Sequence, residues 1–131
     1  MSTIVPVDEE YSLDDSVIMS ETDLDGMITY VNRKFCEVSG YDRKELKGQN
    51  HNIIRHPDMP SWAFKKLWDS LKNGDEWVGI IKNLRKDGKY YWVHSFVSPI
   101  LKDGNITGYT AARRKATKLE VEEAKDDYGL Q

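Results

Sequence analysis

The sequence is poor in cysteine, since Cys36 is the single cysteine among 131 residues. One cysteine cannot close a disulfide within the chain or build a zinc site of the Cys/His kind, and it fits a reducing compartment. Positive charge is not in surplus either, because 19 Lys+Arg against 22 Asp+Glu give a formal net charge of -3. Nucleic-acid-binding domains usually carry a basic surplus. We therefore expect no metal site and no nucleic-acid partner.

Long apolar runs are also missing. No stretch approaches the roughly 18 apolar residues of a membrane span, and the N-terminal residues lack the apolar centre of a signal peptide. The sequence contains neither a Gly-x-Ser-x-Gly elbow nor a glycine-rich phosphate loop. We therefore expect a cytoplasmic binding module that does not insert into a membrane, and not an enzyme.

What the chain does contain is the pattern of one mixed domain, with 39% hydrophobic and 31% charged residues. Asp-Gly pairs mark hairpin turns between β-branched runs. The predicted strands are 16–21, 27–32, 76–84, 90–101 and 106–113. Four short helical segments lie between the second and third strands, the longest from a Ser61 cap to Lys72. This order predicts an α+β fold, a five-stranded antiparallel sheet with a block of short helices on one face.

The two ends differ in composition from the middle of the chain. Residues 1–15 are polar and acidic, which is typical of a flexible N-terminal cap. Residues 116–131 are charged and helix-prone, and they are interpreted as a helical linker to an output module that is missing from this chain. Residues 16–115 are left as the folded domain.

Several short motifs in this order resemble the PAS family. Gly-Met-Ile-Thr-Tyr-Val-Asn at 26–32 is similar to the opening hairpin of that family, and Ser-Gly-Tyr at 39–41 with Glu-Leu-Lys-Gly at 45–48 is similar to its helical stretch. Lys-Asp-Gly at 86–88, followed by Tyr-Trp at 91–92, is similar to its later hairpin. Over 16–115 the chain thus resembles a PAS sensor domain.

A narrower resemblance is to the PAS domain of bacterial aerotaxis receptors. It rests on Gly-Gln-Asn-His-Asn-Ile-Ile-Arg-His-Pro-Asp-Met-Pro at 48–60, and on the segments 79–86 and 91–93. That family binds FAD non-covalently and signals its redox state to a chemotaxis module. The resemblance implies a flavoprotein that senses redox state or oxygen in signal transduction. It also implies a homodimer, a downstream chemotaxis signalling module, and a full-length receptor anchored in the inner membrane.

Asn83 is the first candidate for a contact with the flavin ring, because an amide can both donate to and accept from the polar edge of the ring. It lies five residues before Gly88, the offset at which flavin-binding light-sensor PAS domains place such an asparagine. The alternative is a strand-end residue that faces water. Strand alternation puts Ile81, Gly79 and Trp77 on the same face, and Gly79 would leave space for a flat ring.

Arg55, His56 and Asp58 form a charged cluster with two alternative roles. They could hold the FAD pyrophosphate, for which the arginine fork is suited, or stabilise extra negative charge on a reduced flavin. The structural alternative is that Asp58 pairs with Arg55 and braces a proline-bounded loop.

The remaining cofactor candidates are less specific. Trp68 has the helical spacing of either a pocket wall or ordinary core. Asn32 ends the second strand, and Val93 stands where light sensors carry a second asparagine. Their glutamine corresponds to Thr110, and their reactive cysteine to His51. We therefore expect no thiol adduct, and redox sensing is favoured over blue-light sensing.

Three aromatic residues form a separate candidate surface for a partner. Tyr90, Trp92 and Phe96 share one strand face, opposite Val93. If Val93 points inward, the three are exposed and can bind the N-terminal arm, a second copy or a signalling segment. The alternative is a register error of one residue.

Two other functions stay open from the residues alone. A haem-binding gas sensor would use His51, His56 or His94 as the iron ligand. A cofactor-free PAS domain would serve only dimerisation and signal relay.

Overall fold

The computed structural model describes residues 4–131, so the first three residues of the predicted 1–15 cap lie outside the described part. The strands are β1 Ile18–Thr22, β2 Ile28–Val31, β3 Trp77–Leu84, β4 Tyr90–Lys102 and β5 Asn105–Lys115. The helices are α1 Arg33–Ser39, α2 Arg43–Leu46, α3 Ser61–Lys72 and α4 Lys118–Tyr128, with a 3₁₀ turn at His51–Ile54.

The five strands form one antiparallel sheet in the order β2-β1-β5-β4-β3. The long strands β4 and β5 meet at an Asp-Gly turn, where Asp103 and Gly104 both have positive φ, 52° and 81°. This conformation matches the twist of a hairpin and explains the Asp-Gly sequence. In the register of the sheet, Ser95 lies opposite both Gly79 and Arg113.

Polar side chains cap the N-termini of two helices in the helical block. Asn32 accepts a hydrogen bond from the Phe35 amide and so caps α1. Asp42 and Glu45 form a capping box at the start of α2. The prediction of a Ser61 cap for α3 is wrong: Pro60 occupies the cap position, and it has no side-chain acceptor.

The main core lies between the sheet and this helical block. Its fully buried members include Val31, Phe35, Leu46, Leu71 and Tyr91. The predicted α+β fold, with its five-stranded antiparallel sheet and short helices, is confirmed.

A second, smaller core covers the opposite face of the sheet. Trp92 packs there with Ala116 and Ala124 of the C-terminal segment. The Tyr128 hydroxyl donates to the Ile80 carbonyl at 2.6 Å, which fixes the end of α4 on β3. The C-terminal segment therefore forms the predicted helix, and this helix packs on the outer face of the sheet of the same chain.

This packing corrects one part of the predicted partner surface. Trp92 is only 4% exposed, because α4 covers it. Tyr90 is half-buried beside the same cluster, whereas Phe96 is 42% exposed. The alternation that puts Val93 inside and these three residues on the other face is correct.

The N-terminal segment runs along the β3–β4 turn. The Val7 amide donates to the Gly88 carbonyl at 2.9 Å, and the Tyr11 amide donates to the Tyr90 carbonyl at 2.8 Å. Gly88 has a φ of 93°, and a β-carbon there would collide with the Val5 carbonyl. The glycine is thus required both by the turn and by the segment that crosses it.

Candidate ligand-binding cavity

A cavity of about 530 Å³ lies between the inner face of the sheet and the helical block. This volume is typical of sites for small molecules and cofactors. Strands β1, β3, β4 and β5 contribute to its lining, as do the 3₁₀ turn and α3. The contribution of α3 is an apolar stripe at helical spacing: Phe64, Leu67, Trp68 and Leu71.

One wall of the cavity carries a cationic cluster centred on Arg113. This side chain is 6% exposed, and its Nη2 donates to Ser20 Oγ at 3.0 Å and to His51 Nε2 at 2.8 Å. Burial lowers the pKa of His51 to about 3, and the charge of Arg113 adds to the shift. Burial also lowers the pKa of Arg113, to about 10. At neutral pH the cluster therefore consists of a charged guanidinium and a neutral imidazole.

Three buried side-chain atoms in the described residues have no hydrogen-bond partner: Thr22 Oγ1, Ser95 Oγ and Arg113 Nη1. All three residues line the same cavity. A buried polar atom without a partner destabilises a fold by about 1–3 kcal/mol. Three of them around one cavity indicate a site that a polar ligand completes.

Four of the predicted cofactor residues lie together at this cavity: Asn83, Ile81, Trp68 and Arg55. Asn83 is 4% exposed and points to the inner face, so the interpretation as a water-facing residue is wrong. The Trp68 ring meets the Tyr109 ring edge-on at 5.3 Å. An isolated antiparallel β-bridge joins the backbones of Arg55 and Asn83. The Arg55 guanidinium lies over the Phe64 ring, 4.2 Å from its centroid.

The other two members of the charged cluster lie outside the cavity lining. Asp58 Oδ2 pairs with Lys82 Nζ at 2.8 Å, and this lysine holds the pKa of Asp58 below its usual range. The predicted Asp58–Arg55 pair is therefore wrong. His56 Nδ1 accepts from the Asp58 amide at 3.0 Å, and burial lowers the pKa of His56. Asp58 and Lys82 brace the loop against β3.

The remaining four predicted cofactor residues are also outside the lining, for separate physical reasons. The space beside Gly79 is occupied by the Trp77 ring, with which a β-carbon at Gly79 would collide. Asn32 uses its side chain on backbone groups of Val17, Met19 and Phe35. Val93 is fully buried in the main core.

The sequence-based reasoning missed the most polar part of the site. The predicted cofactor residues do not include five polar residues that line the cavity: Arg113, Ser95, Thr22, Ser20 and His51. The alternation of side chains along β5 could have identified Arg113, because Ala111 and Arg113 share the inward face of this strand. Thr110 lines the cavity as well.

The three histidines lie at different places in the fold. His51 lines the cavity, whereas His56 lies outside its lining and His94 lies on the face of Trp92 and Phe96. Within residues 4–131 there is no group of three metal-binding side chains placed to hold an ion. In the same range, every helix is too short or too polar to cross a membrane.

The fold and the cavity define the class of protein. The family profile described as PAS fold matches residues 28–113, and the chain belongs to this family. The dark structure of the blue-light photoreceptor Aureochrome1 LOV superposes with a TM-score of 0.74 at 26% identity, covering 85% of this chain and 86% of that one.

Among curated proteins, the aerotaxis receptor of Escherichia coli (strain K12) is 49% identical over 108 residues, which is 82% of this chain and 21% of the receptor. The nitrogen fixation regulatory protein of Klebsiella pneumoniae is 32% identical over 100 residues, 76% of this chain and 20% of that protein. The chain thus spans about a fifth of the length of these relatives. The predicted resemblance to the PAS domain of aerotaxis receptors is confirmed.

Proposed function

We propose that this chain is a flavin-binding sensory domain of an aerotaxis-type receptor, with FAD as its cofactor. The observation that carries the proposal is the cavity, in which three unpartnered polar atoms face an aromatic and aliphatic wall. Identity of 49% to an aerotaxis receptor supports the same reading. When bound, the flavin supplies a reversible reduction that follows the redox state of its surroundings.

The lining has the two chemical parts that a flat ring with a polar edge needs. Trp68, Ile81 and Leu67 offer apolar surface, and Asn83 and Arg113 offer hydrogen-bond donors. The polar edge of a ring in this cavity would offer hydrogen-bond partners to the three atoms that lack them. The residues present therefore fit a flavin.

Positive groups at the cavity fit the diphosphate of FAD rather than the ring alone. Arg55 and Lys72 line the cavity, as does Lys65, which pairs with Asp69 at 2.7 Å, and the one carboxylate in the lining is Asp25. An arginine fork is suited to two phosphate oxygens. This surplus of positive charge is the reason to prefer FAD over a flavin without a diphosphate.

In this proposal, strand β3 transmits a change at the cavity to α4. Asn83 and Ile81 face the cavity, while Ile80 on the other face accepts the hydrogen bond from Tyr128 of α4. A change in the hydrogen bonds of Asn83 would alter β3 and so the docking of α4, as a shift between two populations. Residues 116–131 then link the domain to a downstream signalling module, in a homodimeric receptor anchored in the inner membrane. Exposed Phe96 and half-buried Tyr90 are the partner contacts in this scheme.

The visible spectrum of the purified chain tests the proposal. Twin flavin bands in the blue region are expected, either as isolated or after incubation with FAD. A Soret band would favour a haem sensor instead. A colourless protein that takes up no FAD would leave only the cofactor-free scaffold.

Asn83→Ala should lower the flavin content if the amide holds the ring edge. Val78→Ala, on the exposed face of the same strand, is the matched control and should keep the full content. Unchanged flavin in Asn83→Ala would remove that residue from the site.

A further inference from the structure

Tyr128, in the last turn of α4, joins the two sides of the sheet. Among the described residues it is the one side chain that packs against both the main core and the smaller core under α4. Its hydroxyl donates to the Ile80 carbonyl, and burial raises its pKa, so the hydroxyl stays protonated at neutral pH. Because β3 is an edge strand of the sheet, Tyr128 reaches around this edge from the outer face to the inner side.

On the inner side, Tyr128 contacts the helix that forms the apolar wall of the cavity. Its ring meets the ring of Trp62, with 5.6 Å between the ring centroids and 59° between the ring planes. Aromatic pairs at this spacing are favourable beyond the area that they bury. Trp62 is the second residue of α3 and is 44% exposed, so this contact lies at the surface of the domain.

The first turn of α3 depends on such contacts more than the rest of the helix does. Its cap residue, Pro60, has no side-chain acceptor, so no side chain satisfies the free amides of this turn. Phe64 belongs to the same turn and lines the cavity. The Arg55 guanidinium, another part of the lining, lies over the Phe64 ring. A shift of this turn therefore changes the cavity itself.

We propose that Tyr128 is a positioning residue for the ligand: through its contact with Trp62 it holds the first turn of α3 in the arrangement that binds the flavin. Phe64 and the Arg55 guanidinium over it are the cavity groups that depend on this turn. The inference rests on the proposed function, because the ligand is taken to be the flavin. Coupling between binding and structure is reciprocal, so bound flavin must also hold the end of α4 more firmly.

The affinity of the chain for FAD, followed by the change in flavin fluorescence, tests the first part of the inference. Tyr128→Ala and Trp62→Ala should each weaken binding by roughly three- to tenfold, as expected for coupling through packed side chains that do not touch the ligand. Because the two rings form one contact, the double variant should bind no more weakly than Tyr128→Ala alone. Losses that add in the double variant would overturn the inference.

Two further variants separate the ring of Tyr128 from its hydroxyl and from general surface effects. Tyr128→Phe keeps the ring and loses only the bond to Ile80, so it should recover most of the affinity that Tyr128→Ala loses. Tyr30→Ala is the matched control, because Tyr30 is an exposed tyrosine that packs against neither core, and it should bind FAD like the parent chain. If Tyr128→Ala does not fold, Trp62→Ala at its exposed position carries the test.

Hydrogen exchange of the α4 amides tests the reverse direction. In the parent chain, FAD should slow exchange in the last turn of α4 by a factor similar to the affinity that Trp62→Ala loses. In Trp62→Ala saturated with FAD this slowing should be absent. A tyrosine with a merely structural role would leave the exchange of α4 independent of FAD.

Equal FAD affinity in the parent chain and in both alanine variants would overturn the inference. A loss in Tyr128→Phe as large as in Tyr128→Ala would also overturn it, since the effect would then belong to the bond with β3. A parent chain that binds no FAD would contradict the proposed function, and the inference with it.

Discussion

The two faces of the sheet are built from alternating residues of the same strands, yet they are completed in different ways. On the outer face, Trp92 is covered by α4, and the Tyr128 hydroxyl reaches the Ile80 carbonyl. On the inner face a cavity of about 530 Å³ remains, with three polar atoms lacking partners. The chain therefore provides its own cover on one side and leaves the other side for a ligand.

Two consecutive arginines on β5 show the same difference at close range. Arg114 faces outward and is paired with Glu120, which also completes the capping box of α4. Arg113 faces inward and has no acidic partner in the described chain. Of two chemically identical side chains, one is thus paired within the protein and the other faces the cavity with a free donor.

The largest expected effect is on the outer face. Trp92→Ala removes the centre of the small core under α4 and should lower the free energy of unfolding by about 3–5 kcal/mol. Phe96→Ala, on the same strand face but 42% exposed, should change it by no more than about 0.5 kcal/mol. Urea unfolding followed by circular dichroism measures both. Equal effects would mean that α4 does not cover Trp92 in solution.

The next effect belongs to the inner face. FAD at about 100 times its dissociation constant should stabilise the domain by about 2.7 kcal/mol, because it binds the folded state only. Thermal melting with and without FAD gives the shift. Val78→Ala on the outer face should show the same shift, and no shift in either chain would argue against an inner-face site.

The imidazole of His51 gives a pH dependence of defined sign. The pKa of His51 falls from 6.5 to about 3 on folding, so between these values the unfolded chain binds a proton that the folded chain does not. Stability therefore falls as the pH drops below 6.5, by up to about 1.4 kcal/mol per pH unit. His56, whose pKa is also lowered by burial, acts in the same direction.

Urea unfolding between about pH 5 and pH 6.5 separates the contribution of the two histidines from that of the carboxyl groups, most of which are already ionised there in both states. His51→Gln should reduce the slope to the part that His56 contributes. A slope that is unchanged in His51→Gln would contradict the assignment.

The smallest effect concerns one orphaned hydroxyl. Thr22→Val keeps the shape of a buried side chain and removes a hydroxyl without a partner, so it should stabilise the flavin-free domain by up to about 1 kcal/mol. Thr29→Val, at an exposed position of β2, is the control and should be nearly neutral. Clear destabilisation by Thr22→Val would show that the hydroxyl has a partner in solution.

Local chemistry explains which features the sequence predicts well. The Asp42–Glu45 capping box, the Asp103-Gly104 turn and the inward side of Val93 follow from interactions within a few residues. The sequence identifies Asn83 by its amide in a mostly apolar strand, which is also a local signal.

Features that depend on distant segments could not be predicted in this way. Trp92 is buried by a helix some 30 positions further along the chain, whose docking is not visible in its own charged sequence. The space beside Gly79 is filled by the side-chain conformation of Trp77. Arg113 becomes a cavity residue only when β5 lies beside β1 and β4 and His51 reaches it from the helical block.

The most direct measurement is the flavin bound per chain in Ala111→Phe and Ala112→Phe. Ala111 lines the cavity, and Ala112 is its neighbour on the opposite face of β5. Our account predicts that the phenyl group at 111 fills the site and removes most of the flavin, while the same group at 112 leaves it bound. Equal flavin content in the two variants would contradict an inner-face site.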